Sequence, residues 1–369
     1  MHVGFVVYGD LETTTGGFLY DRKLVGHLRN GGDTVSVVSL PWRAYPRALA
    51  DNLDPRIRRR LRGFDLLLED ELCHPSLVGH NAAVDAPVVA VVHHLWASEE
   101  WPAWRERLYR AVERRYLERL DGAVYVSEAT RRDAERLAGE RPSIVARPAG
   151  DRFEADLGDD ADRVDDLLAD DAIAARADRD PFRIVFVGSL VPRKGLHFLL
   201  DGLARVSGEW QLSVVGPESD AEYARRVRER ASRLGIADAV RFEGRLLDAT
   251  LAERLAESHL LAVPSTYEGY GIVYLEGMGF GLPPLATTAG GATELVTHAK
   301  DGFLVPPGDP EAIARAVETL LTDRDRLREM SLAARRRYER HPGWSESMET
   351  VRRFLHAIAR EEMPAEAVA

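Results

Sequence analysis

Glu268 and Glu276 stand eight residues apart in Ser265-Thr266-Tyr267-Glu268-Gly269-Tyr270-Gly271-Ile272-Val273-Tyr274-Leu275-Glu276-Gly277, a stretch that begins just after an apolar run. Gly269 and Gly271 leave the backbone between them clear of side chains. A glycine-rich turn entering a helix offers backbone N–H groups to a phosphate. A carboxylate on the first turn of that helix can accept two hydroxyl hydrogen bonds, the pair that a ribose diol offers. Glu268, in the loop, would face whatever lies beyond the phosphates. Two isolated glutamates would more often flank a buried helix and point at solvent, so the case rests on context.

That context is a series of ordered motifs. Downstream stand Gly290-Gly291-Ala292-Thr293-Glu294 and Gly302-Phe303-Leu304-Val305-Pro306-Pro307-Gly308-Asp309; upstream stands Val187-Gly188-Ser189-Leu190-Val191-Pro192-Arg193-Lys194-Gly195. Together with the glutamate pair they resemble the E-x7-E signature and flanking motifs of the family 4 retaining glycosyltransferases, a group with the GT-B fold. The resemblance covers residues 184–310 closely and the N-terminal half more loosely. It implies that the C-terminal half binds a nucleoside-diphosphate sugar. Glu276 would hold the ribose, Gly271 would lie in the turn beside it, and Glu268 would contact the donor sugar. Lys194 would meet the pyrophosphate, where a cation offsets charge building on the leaving group. Many members carry Arg directly after the strand-end glycine. This chain has Ser189 there, and Arg193 is the candidate to supply the guanidinium.

In the N-terminal half, Gly16-Gly17 resembles the family's glycine loop, which approaches the diphosphate from across the cleft. The strand Val89-Ala90-Val91-Val92 ends in His93-His94. His93 falls where the family often has a histidine beside donor sugar and acceptor, with His94 as the alternative register. Ser127 is similar to the family's strand-end serine but reads better as a helix N-cap. The resemblance implies transfer on the front face of the sugar, with the leaving phosphate assisting the incoming hydroxyl. On that reading no side chain is a nucleophile, and no metal or other cofactor is needed.

The elements that must hold these residues follow a βα rhythm. Val3–Tyr8 reads as a buried parallel strand, 18–30 as a helix stopped by Gly31-Gly32, and Thr34–Val38 as a second strand. Strand-like runs follow at 65–68, 87–92 and 123–126, with helical spacing clearest at 104–120. The rhythm restarts with strands at 183–188, 212–216, 240–244 and 260–264, separated by helices at 196–206, 221–234 and 248–257. The fold class is therefore α/β, with two Rossmann-like parallel-sheet domains facing across a cleft. The expected divisions are an N-terminal, acceptor-side domain at 1–153, an acidic linker at 154–180, a donor-binding domain at 181–340, and a crossover helix and tail at 341–369. In open parallel sheets ligands lie at the carboxyl ends of the strands, where the motif residues fall.

Composition narrows the classes further. The chain has 369 residues, 45% hydrophobic and 30% charged, enough for two packed domains. Its formal charge of −11 argues against a dedicated nucleic-acid binder. The lone cysteine, Cys73, excludes an internal disulfide framework and a cysteine-based zinc site. Asp160-Ala161-Asp162 sits in a charge run rather than at a strand end, which weighs against a metal-binding role. No run of about 18 apolar residues and no signal-peptide pattern is present, so a cytoplasmic location is expected. Peripheral contact with the inner membrane face is a second expectation. It rests on the cluster Arg56, Arg58, Arg59, Arg60 and Arg62 beside Ile57 and Leu61, and on Trp101 and Trp104 ahead of an Arg-rich helix with Leu108, Val112, Tyr116 and Leu120 on one face. The expected activity moves a sugar from a UDP- or GDP-linked donor to a glycan, lipid-linked or small-molecule hydroxyl acceptor. A nucleotide-sugar epimerase or hydrolase, and a non-catalytic nucleotide-sugar binder, are the alternatives.

Overall fold

A computed structural model describes residues 1–13, 16–99, 101–153 and 168–361. Most of the acidic run, including Asp160 and Asp162, and the tail beyond Glu361 lie outside the described residues. The chain divides into two units, Met1–Pro148 with Pro342–Ala369, and Ala149–His341. Among the described residues each unit holds one six-stranded, wholly parallel sheet.

The first sheet comprises β1 (His2–Tyr8), β2 (Thr34–Leu40), β3 (Leu66–Asp70), β4 (Val88–Val92), β5 (Gly122–Tyr125) and β6 (Ser143–Val145), in the order β2-β1-β3-β4-β5-β6. β3 and β4 are buried along their whole lengths, as strands covered by helices on both faces must be. Helix α1 (Gly16–Asn30) follows β1 and packs Phe18, Tyr20, Leu24, Val25 and Leu28 inward. Strand order reverses between β1 and β3, so the crevice outside their carboxyl ends is the place for a ligand.

Helix α2 (Ala103–Leu117) corrects one expectation. Its buried face carries Tyr109, Glu113, Tyr116 and Leu117, while Leu108 turns outward. Trp101 stacks on Trp96 with ring centroids 5.8 Å apart and donates Nε1–H to the Trp96 carbonyl, whereas Trp104 stays exposed. The arginine cluster is corrected likewise: Ile57 and Leu61 are buried in the core with Val6, Leu40 and Leu67, so they offer no apolar face to a membrane. Arg56, Arg58, Arg59 and Arg60 lie on the exposed side of that short, packed helix.

The second sheet comprises β7 (Phe182–Val187), β8 (Trp210–Val215), β9 (Val240–Gly244), β10 (Leu260–Ala262), β11 (Pro284–Thr287) and β12 (Phe303–Val305), ordered β12-β11-β10-β7-β8-β9. Its reversal lies between β7 and β10. Helix α3 (Ile272–Gly279) follows β10 and is buried through most of its length. Residues 170–176, read from sequence as linker, form a helix of this unit instead. Ile173 is buried, and the Arg176 guanidinium donates to the carbonyls of Ala256, Phe280 and Gly281. That anchoring ties the helix to the unit while Asp170 and Asp171 stay exposed, as an acidic run read as linker or exposed helix would have them.

The chain then returns. Helix α4 (Trp344–Ala359) belongs to the first unit, burying Met348, Val351, Phe354, Leu355 and Ile358. Arg352 and His356 both pair with Asp33, at 2.8 and 3.0 Å. Gly122 on β5 makes room for this helix, since a Cβ there would come 3.0 Å from the Phe354 ring.

Candidate active site

In the second unit, the loops after β7 and β10 meet at the switch point. Lys194 Nζ lies 2.5 Å from Glu268 Oε1, and Ser265 donates its hydroxyl to the same oxygen at 2.7 Å. Arg193 stands 3.6 Å from that oxygen and donates to the Tyr267 carbonyl at 2.8 Å. Burial alone would raise the Glu268 pKa, but Lys194 and Arg193 beside it, with the Lys194 and Ser265 hydrogen bonds, hold it down at about 2. Burial lowers the Lys194 pKa, Arg193 adds to that, and Glu268 opposes both. The carboxylate is thus held charged at neutral pH, and the two cations are gathered at the carboxyl edge of the sheet.

Backbone geometry explains the neighbouring glycines. At Gly290 φ is +78°, and a Cβ would fall 1.9 Å from the Glu268 carbonyl oxygen; at Gly291 it would fall 2.3 Å from the Gly269 oxygen. Gly291 N–H donates to the Glu268 carbonyl at 2.9 Å. The double glycine therefore lets one loop lie flat on the backbone that carries Glu268. Gly195, at φ +71°, does the same where a Cβ would strike the Pro264 carbonyl at 2.0 Å.

Gly271 caps the start of α3 at φ +90°. Glu276 is the fifth residue of that helix, one position beyond the first turn expected for it, and is buried. Its Oε1 lies 3.6 Å from Arg152 Nη1, and Arg152 in turn grips Asp248 through Nε at 3.1 Å and through Nη2. Burial raises the Glu276 pKa, with Arg152 opposing and Asp248 adding. Arg152 and Asp248 carried no motif. Arg152 was assigned by sequence to the first domain, beside the acidic run, and nothing local marked it.

In the first unit, Gly17 and His93 come together: a Cβ on Gly17 would sit 3.4 Å from the His93 ring. Gly16 precedes it at the exposed start of α1. His93 Nε2 pairs with Asp21 Oδ1 at 3.1 Å, whereas His94 Nε2 pairs with Glu99 at 3.0 Å. Burial lowers the His93 pKa, but Asp21, then Asp70 and Glu71, overcome it and raise it to about 9. Asp21 lies four residues after Gly17 and so on the same face of α1, the one sequence signal that could have found it. A second buried group joins Glu71, His74 and Glu113, with His74 Nδ1 2.9 Å from Glu71 Oε1. Each cluster has residue types that suit a divalent cation, and in each the histidine is already paired with a carboxylate. Ser127 is an N-cap, accepting from Thr130 N–H at 3.0 Å.

Residues 15–148 match the family described as Glycosyltransferase Family 4, and residues 170–337 match Glycosyl transferases group 1. A GDP-mannose-dependent alpha-(1-6)-phosphatidylinositol monomannoside mannosyltransferase of Mycobacterium tuberculosis is 33% identical over 61% of this chain and 59% of its own length. A D-inositol 3-phosphate glycosyltransferase of Geodermatophilus obscurus is 30% identical over 63% of this chain and 60% of its own. The matched stretch thus spans about three-fifths of these relatives. Among solved structures, the sucrose-phosphate synthase of Thermosynechococcus elongatus covers 98% of this chain and 99% of its own at 20% identity, with a TM-score of 0.82. Anabaena HepE in complex with UDP-glucose covers 97% of this chain and 100% of its own at 19% identity, with a TM-score of 0.76. The two parallel sheets and these neighbours make the fold GT-B. With both halves matched by the family's models, the chain belongs to the family 4 glycosyltransferases.

Proposed function

We propose that the chain is a hexosyltransferase that moves a sugar from a nucleoside-diphosphate sugar to a hydroxyl acceptor with retention at the anomeric carbon. The observation that carries this reading is the junction of Lys194, Arg193 and Glu268 at the β7–β10 switch point. There, two cations suit a leaving diphosphate, and a fixed carboxylate suits the hydroxyls or the developing positive charge of a sugar ring. Arg193 then supplies the guanidinium that Ser189 lacks. Glu276, reached by the turn at Gly271, accepts from the ribose diol; Arg152, which lies against it, gives way or turns to the phosphates. His93, Gly16 and Gly17 are the first unit's candidates for meeting sugar and acceptor. Lys194 and Arg193 provide the positive charge, so the reaction needs no metal.

Relatives named for GDP-mannose and structures bound to UDP-glucose support a nucleotide-sugar donor, either UDP- or GDP-linked. Isothermal titration of UDP, GDP and ADP into the wild type and Glu276→Ala, without added metal, tests the reading. One nucleotide binds tightly and the variant loses it. No binding by any of them removes the transferase assignment, and binding with hydrolysis but no transfer to any acceptor favours the hydrolase alternative.

The acceptor is proposed to be a glycan, a small molecule or a lipid-linked molecule in cell-envelope glycan synthesis; a relative named for a phosphatidylinositol mannoside supports the lipid-linked case. Among the described residues no helix is long and apolar enough to cross a membrane. Exposed Trp104 and Leu108, flanked by Arg105, Arg107 and Arg110 on α2, would support peripheral contact with an anionic surface. Co-sedimentation with phosphatidylglycerol vesicles that falls in Trp104→Ser supports that contact; equal binding to neutral vesicles sinks it.

A further inference from the structure

His93 does not stand alone at the end of β4. One oxygen of Asp21, one of Asp70 and a ring nitrogen of His93 lie within 4.8 Å of one another. Both aspartates are buried, while the His93 side chain keeps 13% of its surface exposed. Three elements build the cluster: α1 contributes Asp21 and the edge of the Tyr20 ring, β3 ends in Asp70 with Glu71 next to it, and β4 delivers the histidine. These are the titratable groups facing the ring. After burial, Asp21, Asp70 and Glu71 are the groups that act on it most strongly. Asp21 Oδ2 has no hydrogen-bond partner among the described residues, so His93 is the group that balances the Asp21 charge.

An imidazole enclosed by carboxylates keeps its second proton, and a doubly protonated ring has two N–H donors and no acceptor. Nε2–H is directed to Asp21. Nδ1 takes no hydrogen bond from any described residue, so its N–H is the donor left for a ligand oxygen. We propose that Asp21, seconded by Asp70, is a positioning residue that keeps His93 an imidazolium through neutral pH, so that His93 serves sugar transfer as a hydrogen-bond donor and positive charge rather than as the base that deprotonates the acceptor. This rests on the reading given above that His93 faces the reacting sugar. It assigns the acceptor's proton to another group, consistent with a leaving phosphate that assists the incoming hydroxyl.

Two readouts on the full chain test it. Ring C–H resonances of the histidines are followed by NMR against pH, His93 being identified by its loss in His93→Gln. In the wild type His93 stays protonated through neutrality and titrates near pH 9. In Asp21→Asn its midpoint falls by about one unit or more, and in Asp21→Glu it is largely retained. Transfer kinetics give the second readout: the alkaline limb of kcat/KM moves down in Asp21→Asn by the same interval, while nucleotide affinity is unchanged. A wild-type ring already neutral at pH 7.5 overturns the proposal, even if every variant fails to fold. So does an Asp21→Asn midpoint equal to wild type, or a moved midpoint with an unmoved kinetic limb. If the wild type transfers no sugar yet the NMR titrations behave as expected, the charge lock stands and the transferase reading falls.

Discussion

The two units are built on one plan but treat the buried carboxylates at their candidate sites in opposite ways. Both lay parallel strands about a switch point and bring their chemistry to the carboxyl edge. In the second unit each site carboxylate meets a strong cation, Glu268 with Lys194 and Arg193, Glu276 with Arg152. In the first, Asp21, Glu69, Asp70, Glu71 and Glu113 are buried near two histidines, His74 and His93. Lysine and arginine stay charged across the physiological range, whereas histidines and desolvated acids titrate within it. The contrast therefore separates a unit suited to hold an anionic ligand from one whose electrostatics answer to pH.

The sharpest way to break the comparison is at the second unit. Lys194→Ala leaves Glu268 without its nearest cation and is expected to lower the transfer rate about 100- to 1000-fold, read by steady-state kinetics with saturating acceptor. A drop below tenfold would show that Arg193 alone carries the charge. Adding Glu268→Gln completes a cycle whose coupling term reports the pair itself.

A smaller effect sharpens the other side. Glu69 accepts from Asn81 and from the Tyr116 hydroxyl, both at 2.9 Å, while its second oxygen has no partner among the described residues. Burial pushes its pKa up to about 7 against those two hydrogen bonds, and burial pushes Glu71 to about 8. Acids raised in the folded state contribute stability that is full below their unfolded values and lost as pH rises through the folded ones. Glu268 has the opposite sign: its contribution is present above its unfolded value, near 4.5, and is lost as pH falls toward 2. His93, raised to about 9, contributes fully below about 6.5 and loses that contribution by pH 9. Glu69→Gln is thus expected to raise the melting temperature relative to wild type at pH 8 by a few degrees, with little gain at pH 5. Equal shifts at both pH values would mean that Glu69 is not titrating.

Much of this was legible in the chain. Alternating βα patterns gave both sheets because long Val/Leu/Ile runs between helical spacings leave few other folds. Glu268, Lys194 and Gly271 came forward as candidates through the ordered motifs around them, and the structure gathers Glu268 and Lys194 at the β7–β10 switch point. β6, β11 and β12 escaped although they are no shorter than β5 and β10, because Ser143 and Pro284 open two of them and the third lies inside a glycine- and proline-rich motif, so none stood out as an apolar run. Asp248 and Arg152 escaped for a different reason. Their partners are distant in sequence and no local pattern records the pairing. The arginine cluster was ambiguous because basic residues on one side of a short helix look alike whether the other side meets a core or a lipid. Only the burial of Ile57 and Leu61 decides it.

The return of α4 to the first unit has a consequence for biosynthesis. The second unit is one continuous segment, Ala149–His341, but the first needs residues from both sides of it. On a ribosome, the early sheet emerges while the groove beside Gly122 and the carboxylate of Asp33 still await Phe354, Arg352 and His356. The later-made unit can therefore finish before the earlier one, reversing the N-to-C order usual for tandem domains.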